Sequence, residues 1–504
     1  MFRNSFFLPN FLLLLVYLIV LLMLFYGSPQ EDAKILFEYA NNLATRGLIT
    51  YSQFSYPIEG ATDFLWMVLI SIFSKFNFDE YIAALIITTL SITFFLRNFS
   101  SNYEKSIFLI VLIFTPFFYS SLVGFSTISF SLFFAYLVFQ IHKNYSERNF
   151  ILILIFCLIR PDGVFWSIGI VLIIFLKNFK ELGFKKIFRD FSIYLVLPGL
   201  IYFSWRFWYF NELLPLPFYV KSIGEKDFGI FFSTSISQLL LVFIPVVFST
   251  AYYVFTCRLK SYKGESSFFR KAIYKILENR KELLMLLALF LIPVLIFPQF
   301  RLDQNIGNRF FAPAFFGFLI FIKIFFNIRT MLIYALLSIL IMSKNTLLTI
   351  EGSINTQNPL EPLNQAISSS DAFTLTSEAG IFAYKTNLKV HDSWGLNTPK
   401  YAKELVNFNL LNEQEYDIVI LPGFEIKSLV NAVDDSYVKN LSRTFSNHML
   451  IVANYLFQKN YELYSLPFNT NEITLIGINS SSNKYSDLKQ RINKLSNIKK
   501  INLN

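Results

Sequence analysis

The sequence predicts a polytopic α-helical membrane protein that carries a smaller α/β domain towards its C-terminus. Hydrophobic residues make up 54% of the 504-residue chain and charged residues only 15%, and the mean hydropathy is +0.48. This composition is typical of integral membrane proteins and excludes an ordinary soluble globule. The chain also contains 61 Phe and 27 Tyr, which suits lipid-facing helices with aromatic residues at both interfaces.

Apolar runs of the length of membrane helices recur along the first two thirds of the chain, and we count about eleven. They lie at residues 6–26, 62–75, 80–96, 106–119, 122–141, 150–176, 190–209, 238–257, 283–300, 309–326 and 330–349. The first run lacks a convincing cleavage site for a signal peptide, so we interpret it as a membrane helix. No internal repeat of the kind seen in many transporters is apparent.

The Lys and Arg residues lie in short loops between the apolar runs, although the net charge is +10. Such a distribution predicts contact with the membrane surface rather than with nucleic acid. The most basic loops are residues 177–189 and 258–282. The positive-inside rule puts both in the cytoplasm together with the N-terminus. Loop 28–61 and the chain after about residue 350 then face outward, in a multi-pass protein of the inner (plasma) membrane.

Residues that could bind a metal or form a disulfide are sparse. Cys157 and Cys257 are far apart in sequence, and His142, His391 and His448 are scattered. This pattern indicates neither a disulfide framework nor a zinc site. A divalent metal held by carboxylates stays possible, and no cofactor is implied with certainty.

The composition becomes more polar after the last apolar run, and we divide the chain into a transmembrane domain at 1–349 and an α/β domain at 350–480. Strand-like runs occur at Ala372–Leu375, Tyr416–Leu421 and Glu472–Ile478, with helix-like stretches around 399–408 and 448–462. Such an alternation predicts a small α/β domain. The segment 481–504 is rich in Ser, Asn and Lys, which predicts a disordered tail.

Glu31 and Asp32 are adjacent carboxylates at the point where the chain leaves the first apolar run. A helical pattern follows them to about Arg46, where Gly47 breaks it. One interpretation is helix capping, because acids in a first turn interact favourably with the helix dipole. The other is a general base or a metal ligand at the membrane surface, where a lipid-linked substrate arrives.

Four basic side chains invite a functional interpretation. Arg160, followed by Pro161-Asp162, interrupts an apolar run, and Arg206 lies within WRFWYF. Charges inside such segments usually face a cavity, form pairs or reach the interface. Lys221 ends the loop NELLPLPFYVK, and Arg309 lies in GNRFFAP. Two such cations suit a phosphate at the bilayer surface, and ordinary interfacial anchoring is the alternative.

Six segments of the chain, in the same order, resemble the motifs of GT-C-type membrane glycosyltransferases related to the actinobacterial terminal β-arabinofuranosyltransferases. EDAKILFEYANNLA…EGATDFLW is similar to DDAxIxxRYAxNLA…EGYTxxLW, GFSTISF to GLETxLF, and IRPDG to TRPEG. Arg206 with NELLPLPFYVK is similar to R…GxLLPNTFYAK, GNRFFAP to GGRFxxP, and SEAGIFAYKTNLKVHDSWGLNTPKYA to G…Y…xxxDxxGLxxPxIA. The matches run from about residue 31 to 402, which is most of the chain.

The resemblance implies an inverting transferase that takes a sugar from a polyprenyl-phosphate donor and passes it to a glycan or glycolipid acceptor on the outer face of the membrane. By position, it implies Asp32 as the base with Glu31 beside it, and Glu59 in the wall of the cavity. Candidates for the donor phosphate are Arg160, Arg206, Lys221 and Arg309. Asp392 would belong to the outer domain, near the acceptor.

The chain departs from the family pattern at several positions. Glu31 stands where Asp is usual, Glu38 replaces the Arg of RYA, and Ser126 replaces the Glu of GLET. Leu216-Pro217 replaces the Asn-Thr of PNT. Two alternatives therefore stay open: a catalytically weakened scaffold that binds a lipid-linked sugar in envelope or flagellar assembly, and a protein glycosyltransferase of the same fold. A transporter is disfavoured by the missing repeats and by the outer α/β domain.

Overall fold

The computed structural model describes residues 29–52, 56–143, 145–222, 228–262, 305–354, 359–404, 406–433 and 447–501, together with Leu295 and Val438. Three predicted features lie outside these residues: the apolar run 6–26, nearly all of the run 283–300, and residues 263–282 of the second basic loop. The side chain of Lys221 also lies outside them, although its backbone is helical.

The region before residue 355 is helical. Its described helices are α1 (Glu31–Arg46), α2 (Phe64–Ser74), α3 (Glu80–Leu96), α4 (Asn102–Ile113), α5 (Pro116–Leu122), α6 (Thr127–Lys143), α7 (Arg148–Ile159), α8 (Gly163–Leu182), α9 (Phe184–Phe191), α10 (Leu197–Phe210), α11 (Leu216–Ser222), α12 (Phe228–Tyr262), α13 (Ala312–Phe325) and α14 (Ile328–Ile354). A π-helical turn at Ser192–Val196 joins α9 to α10, and a 3₁₀ turn at Ile306–Phe311 precedes α13.

Among the described residues, five helical segments are long and apolar enough to cross a membrane, and a bent pair could form a sixth. They are Gly163–Leu182, Phe184–Phe210, Ile236–Thr256, Ile306–Phe325 and Ile328–Glu351, and the pair α4 and α5 is bent by 72°. Helices α2, α3 and α7 are shorter but apolar. The protein is therefore a polytopic helical membrane protein.

The apolar run 150–176, which the sequence counts as one membrane segment interrupted at Arg160, forms two helices. The chain leaves the helical conformation at Arg160, whose φ is −147° and ψ is 144°, and a new helix starts at Gly163. Pro161 explains the break, because a residue that precedes proline is driven towards extended conformations. The break puts the polar side chains of residues 160–162 at a junction between two helices.

The C-terminal region forms one six-stranded sheet with helices against it. Its strands are β1 (Phe373–Thr376), β2 (Lys389–Asp392), β3 (Ile418–Glu425), β4 (Tyr461–Pro467), β5 (Glu472–Asn479) and β6 (Lys499–Lys500), in the order β2-β1-β3-β5-β4-β6. Strand β1 pairs in parallel with β2 and β3, and the remaining pairs are antiparallel. Its helices are α15 (Glu361–Ile367), α16 (Ala379–Ala383), α17 (Pro399–Lys403), α18 (Phe408–Asn412), α19 (Leu429–Val433), α20 (His448–Gln458) and α21 (Tyr485–Ile492).

The three predicted strands are present as β1, β3 and β5, each with slightly different limits. Strands β2, β4 and β6 were not predicted. The prediction of a disordered tail is wrong for residues 481–501. Leu488 and Ile492 of α21 are fully buried, and β6 pairs with β4. Two apolar side chains one turn apart suffice to dock this polar helix onto the sheet domain.

Helix α1 lies between the membrane helices and the sheet domain, and it packs against α2 on one side and α16 on the other. Its buried apolar residues, such as Phe37 and Tyr39, belong to one cluster with Trp66 of α2 and with Ile418 of β3. The first predicted outer loop is thus part of the interface between the two regions, and its N-terminal acids lie there too.

Candidate functional site

Helix α1 begins and ends where the sequence predicts. Glu31 and Asp32 occupy its first turn, and Gly47 ends it in a left-handed conformation with φ of 70°, donating its N–H to Leu43 O at 3.1 Å. Acidic side chains in a first turn are stabilised by the helix dipole, and glycine adopts a left-handed cap at little cost. The two carboxylates are therefore held at a defined helix end instead of on a mobile loop.

Asp32 faces Arg309, which comes from the 3₁₀ turn before α13. The distance between Arg309 Nη2 and Asp32 Oδ2 is 3.6 Å, and the side chains are 11% and 20% exposed. The Arg309 guanidinium also lies 3.9 Å from the centre of the Phe125 ring. Its Nε and Nη1 are buried and have no hydrogen-bond partner among the described residues. Because buried donors are normally satisfied, these N–H groups indicate a place for a ligand.

The turn that carries Arg309 is unusual in its backbone. Gly307 and Asn308 both have positive φ, 62° and 56°, and a Cβ on Gly307 would lie 2.6 Å from the carbonyl oxygen of Pro116. Asn305 Oδ1 accepts from the N–H of Phe310, which braces the turn from its other end. The motif GNRF thus fixes Arg309 because only glycine fits the close approach to Pro116.

Glu31 lies deeper than Asp32. Its Oε1 accepts a hydrogen bond of 2.5 Å from the N–H of Gly380, the second residue of α16. Burial raises the pKa of Glu31 well above its ordinary value, and the nearby carboxylates of Glu378 and Asp32 raise it further. Glu378 itself has its pKa raised to about 7 by burial and by Asp32 and Asp392. The carboxyl groups of Glu31, Asp32 and Glu378 therefore lie together in one corner of the site. Glu31 and Glu378 bind protons more tightly than usual.

Arg160 belongs to a second polar group beside the first. Its Nε donates to Asp162 Oδ1 at 2.9 Å, and its Nη1 lies 3.9 Å from Asp63 Oδ2. Ser126 Oγ donates to the same Asp63 oxygen at 2.7 Å. Asp32, Arg160, Asp63 and Asp162 are also the charged neighbours that act on Arg309. The two groups thus form one connected centre, which consists of Asp32, Asp63, Asp162, Arg160 and Arg309.

The departure at Ser126 has a structural counterpart. The family pattern puts a carboxylate at this position, and here the hydroxyl of Ser126 binds the carboxylate of Asp63. A carboxylate is therefore present beside residue 126, but it is supplied by Asp63 at the N-terminal end of α2. Sequence reasoning missed Asp63, and the signal available was its place within EGATDFLW.

Arg206 and Glu59 form a buried ion pair with each other. Arg206 Nη1 also donates to the carbonyl oxygens of Glu212 and Leu213, at 3.2 and 2.8 Å. Burial raises the pKa of Glu59 and its ion pair with Arg206 lowers it, with a net rise. Leu216 N donates to Glu59 O at 3.0 Å. These contacts join α10, the loop before α11 and the first loop, so Glu59 and Arg206 hold these three segments together.

Asp392 is held within its own turn and is a charged neighbour of Glu378. Asp392 is fully buried, and its carboxylate accepts from the N–H groups of Trp394 and Asn397 at 2.9 and 3.1 Å and from Asn397 Nδ2 at 3.1 Å. Burial raises its pKa to about 6. Its hydrogen bonds organise the turn that follows β2. Lys221 lies in α11, which packs against α17 of the sheet domain.

The departure at Glu38 also has a structural explanation. Glu38 is buried, and it accepts from Asn42 Nδ2 at 2.9 Å and from the N–H of Lys385 at 3.1 Å. Burial raises its pKa to about 7. An acid at this position ties α1 to the end of α16, so Glu38 acts in docking the sheet domain.

Metal ligands are not grouped in the part of the chain that the structure describes. No set of three or more His, Cys, Asp and Glu side chains there is arranged to hold a metal ion. The chemical capacity of the centre is that of carboxylates, which accept protons, beside arginines, which bind anions.

No family model matches the sequence, and no curated protein matches it. The crystal structure of ArnT from Cupriavidus metallidurans bound to undecaprenyl phosphate is similar, with a TM-score of 0.52 and 10% sequence identity. The similarity covers 95% of this chain and 99% of that chain. This chain shares the overall fold of that structure. At such low identity the likeness shows the fold alone, and the arabinofuranosyltransferase-like family stays a resemblance in sequence.

Proposed function

We propose that the protein is an inverting glycosyltransferase that moves a sugar from a polyprenyl-phosphate donor to a hydroxyl group of an envelope glycan or glycolipid. The observation that carries the proposal is the pair Asp32 and Arg309. A carboxylate that can accept a proton lies beside a buried arginine with two N–H groups that have no partner among the described residues. Base and anion-binding site are the two functions that such a transfer requires.

In the proposed reaction, an acceptor hydroxyl oxygen attacks the anomeric carbon of the donor. Asp32 takes the hydroxyl proton as the new carbon–oxygen bond forms. The bond between the anomeric carbon and the phosphate oxygen breaks, and its electron pair leaves with the lipid phosphate. The transition state resembles an oxocarbenium ion, as at other glycosyl centres. A single displacement inverts the anomeric configuration.

Arg309 is the proposed ligand of the donor phosphate. Its Nε and Nη1 have no partner among the described residues and can each donate to a phosphate oxygen, while Nη2 faces Asp32. The charge that develops on the leaving phosphate is stabilised because the donors are already oriented. The neighbour of similar fold was solved with undecaprenyl phosphate bound, which supports a lipid phosphate as the ligand class. Arg160 lies beside Arg309 and is the second cation that we assign to this phosphate.

The site is proposed to face outward in the inner (plasma) membrane, with the N-terminus in the cytoplasm. The basic loop 177–189 supports this orientation. Alkaline phosphatase fused after residue 350 should be active, and green fluorescent protein at the same point should be dark. The reverse pattern would put the site on the cytoplasmic face.

The function is tested with the purified protein in liposomes. The donors are polyprenyl-phosphate sugars of several pentoses and hexoses, and the acceptors are envelope glycans and glycolipids. We expect equal amounts of free polyprenyl phosphate and glycosylated acceptor by mass spectrometry. The matched control is the corresponding nucleotide sugar, which should give no product because it lacks the lipid.

Transfer from the nucleotide sugar alone would contradict the proposed donor. Binding of the lipid-linked sugar without transfer under any condition would favour the scaffold alternative. Transfer to a peptide in place of a glycan would select the protein glycosyltransferase of the same fold. Envelope glycans from a strain that lacks the protein should then show which sugar is missing.

A further inference from the structure

Glu378 comes from the sheet domain, yet it lies at the N-terminal end of α1. It lies one residue beyond the end of β1 and directly precedes α16, which packs on α1. It acts electrostatically on Glu31, and the carboxylate of Asp32 acts on it in turn. Neither composition nor spacing points to this residue, because its neighbours in space are far away in sequence.

The backbone next to Glu378 is fixed tightly against α1. The N–H of Gly380 donates to Glu31 Oε1 at 2.5 Å, and the two residues are 349 positions apart. A Cβ on Gly380 would overlap the carbonyl oxygen of Glu31. Tyr51 Oη donates to the carbonyl oxygen of Ala379 at 2.8 Å. Two hydrogen bonds and one close backbone approach, at Ala379 and Gly380, therefore hold Glu378 in place relative to Asp32.

The three carboxyl groups of this corner differ in their partners. Glu31 binds the N–H of Gly380, and Asp32 pairs with Arg309. The Glu378 carboxyl has no hydrogen-bond or ion-pair partner within the described ranges, although the residue is half-buried. A half-buried carboxyl without a protein partner is available to accept hydrogen bonds from a ligand or from water. The unsatisfied N–H groups of Arg309 indicate a ligand at the same centre independently.

We propose that Glu378 binds the acceptor, so that the sheet domain supplies one wall of the acceptor site and α1 supplies the base. This inference rests on the proposed glycosyltransferase function. The Glu378 carboxylate would accept hydrogen bonds from a hydroxyl next to the attacking one, which selects acceptors with neighbouring hydroxyl groups. A negatively charged group on the acceptor would be disfavoured next to Glu378, because the carboxylate of Asp32 also lies there.

The roles in the step are then divided between the two domains. Glu378 holds the neighbouring hydroxyl and orients the nucleophilic oxygen, and it exchanges no proton with it. Asp32 receives the proton of the attacking hydroxyl, and the lipid phosphate leaves with the electron pair of the broken bond. Acceptor binding and donor binding use different residues, so they can be separated by kinetics.

The test compares Glu378→Gln with wild type in the liposome assay, with donor and acceptor varied separately. We expect the KM for the acceptor to rise about 10- to 100-fold, because a hydrogen bond to a charged group is lost. The KM for the donor should stay unchanged. Glu378→Asp should lie between the two, since it keeps the charge and shortens the reach. Glu425→Gln is the matched control, because Glu425 is an exposed acid of the same domain and should behave as wild type.

The pH dependence gives a second readout. Glu378 faces Asp32 and Asp392, and burial with these charges raises its pKa to about 7. The value of kcat/KM for the acceptor should therefore fall as pH drops through 7, because protonation removes an acceptor oxygen. Glu378→Gln should lack this inflection.

An acceptor KM equal to that of wild type would overturn the inference while the proposed function stands. A parallel rise of both KM values with loss of thermal stability would also overturn it and make Glu378 a structural contact. If wild type transfers no sugar from any lipid-linked donor, the proposed function fails and the inference fails with it.

Discussion

Arg309 and Arg206 are both buried arginines at positions of the family motifs, and they differ in what their guanidinium groups contact. Arg206 has the buried carboxylate of Glu59 as its counter-ion and two carbonyl oxygens as acceptors. Arg309 has one carboxylate at 3.6 Å, and two of its nitrogens have no acceptor among the described residues. A sequence motif can therefore locate a cation, but the contacts of that cation in the structure determine whether it can bind a substrate.

The same difference separates two parts of the molecule. The contacts of Arg206 and Glu59 join α10, the loop before α11 and the first loop. The charges of these two side chains neutralise each other. Arg309 has N–H groups without an acceptor among the described residues, and its partner Asp32 has Glu31 and Glu378 as charged neighbours. We therefore assign stability to the first part and chemistry to the second, and the predictions below test that assignment.

The largest effect on stability is expected for Glu59→Ala. Removing Glu59 leaves Arg206 buried without its counter-ion, which typically costs 3–5 kcal/mol, so we expect a loss of about that size. Thermal unfolding in detergent measures it. Glu59→Gln is the control, since it keeps an acceptor oxygen and should lose less. Unchanged stability of Glu59→Ala together with a weaker affinity for donor would move Arg206 into the substrate site.

A smaller effect, and one on the donor only, is expected for Arg309→Ala. Loss of a charge-assisted hydrogen bond should weaken donor binding by about 1.5–3 kcal/mol, which is roughly 10- to 150-fold. Thermal stability should change little, because no partner other than Asp32 loses an ion pair. Titration with polyprenyl phosphate measures the affinity. Arg309→Lys should restore it partly, because lysine keeps the charge and loses the bidentate geometry. Normal donor affinity in both variants would locate the phosphate elsewhere.

The smallest effect is expected for Lys385→Gln, at a contact between the domains outside the centre. Lys385 Nζ lies 2.8 Å from Asp79 Oδ2 and from Glu80 Oε2, but the Lys385 side chain is 45% exposed. The pair with Asp79 is exposed, and the buried Glu80 keeps its hydrogen bonds from Ser74 and Tyr384. Unfolding should therefore shift by about 0–1 kcal/mol. The KM for the acceptor should not change. A changed acceptor KM would mean that docking of the sheet domain, and not Glu378 itself, controls the acceptor site.

Much of the local structure follows from the sequence. Gly47 ends α1 because glycine tolerates the left-handed cap, and the apolar runs YDIVIL and EITLIGI become β3 and β5. Strand β2 was missed because Lys389–Asp392 contains only one apolar side chain, Val390, and is defined by its pairing with β1. The break at Arg160 was recognised as a polar interruption, but periodicity did not reveal that it separates two helices.

The candidate site was predicted only in part. Asp32 and Arg309 were both singled out, and they lie together although α1 and the 3₁₀ turn are distant in sequence. Asp63 and Glu378 were missed although both lie within motif segments, because their roles are defined by contacts between separate elements. The sequence also could not predict that Arg206 has a buried counter-ion and that Arg309 has N–H groups without an acceptor among the described residues. Both are arginines in apolar segments, and only their contacts in the structure distinguish them.

The rate of transfer by Asp32→Asn distinguishes a general base from a helix cap. Asparagine keeps the shape and the helix-capping capacity of the first turn, so a residue with only a capping role should tolerate it. The account predicts a rate about 10²–10⁴-fold lower at saturating donor and acceptor, as expected on losing a general base. Thermal stability should stay near that of wild type. Glu361→Gln, an acid that pairs with Lys34 of the same helix, is the control and should retain full activity. Turnover by Asp32→Asn close to that of wild type would contradict the account and leave Asp32 as a helix cap.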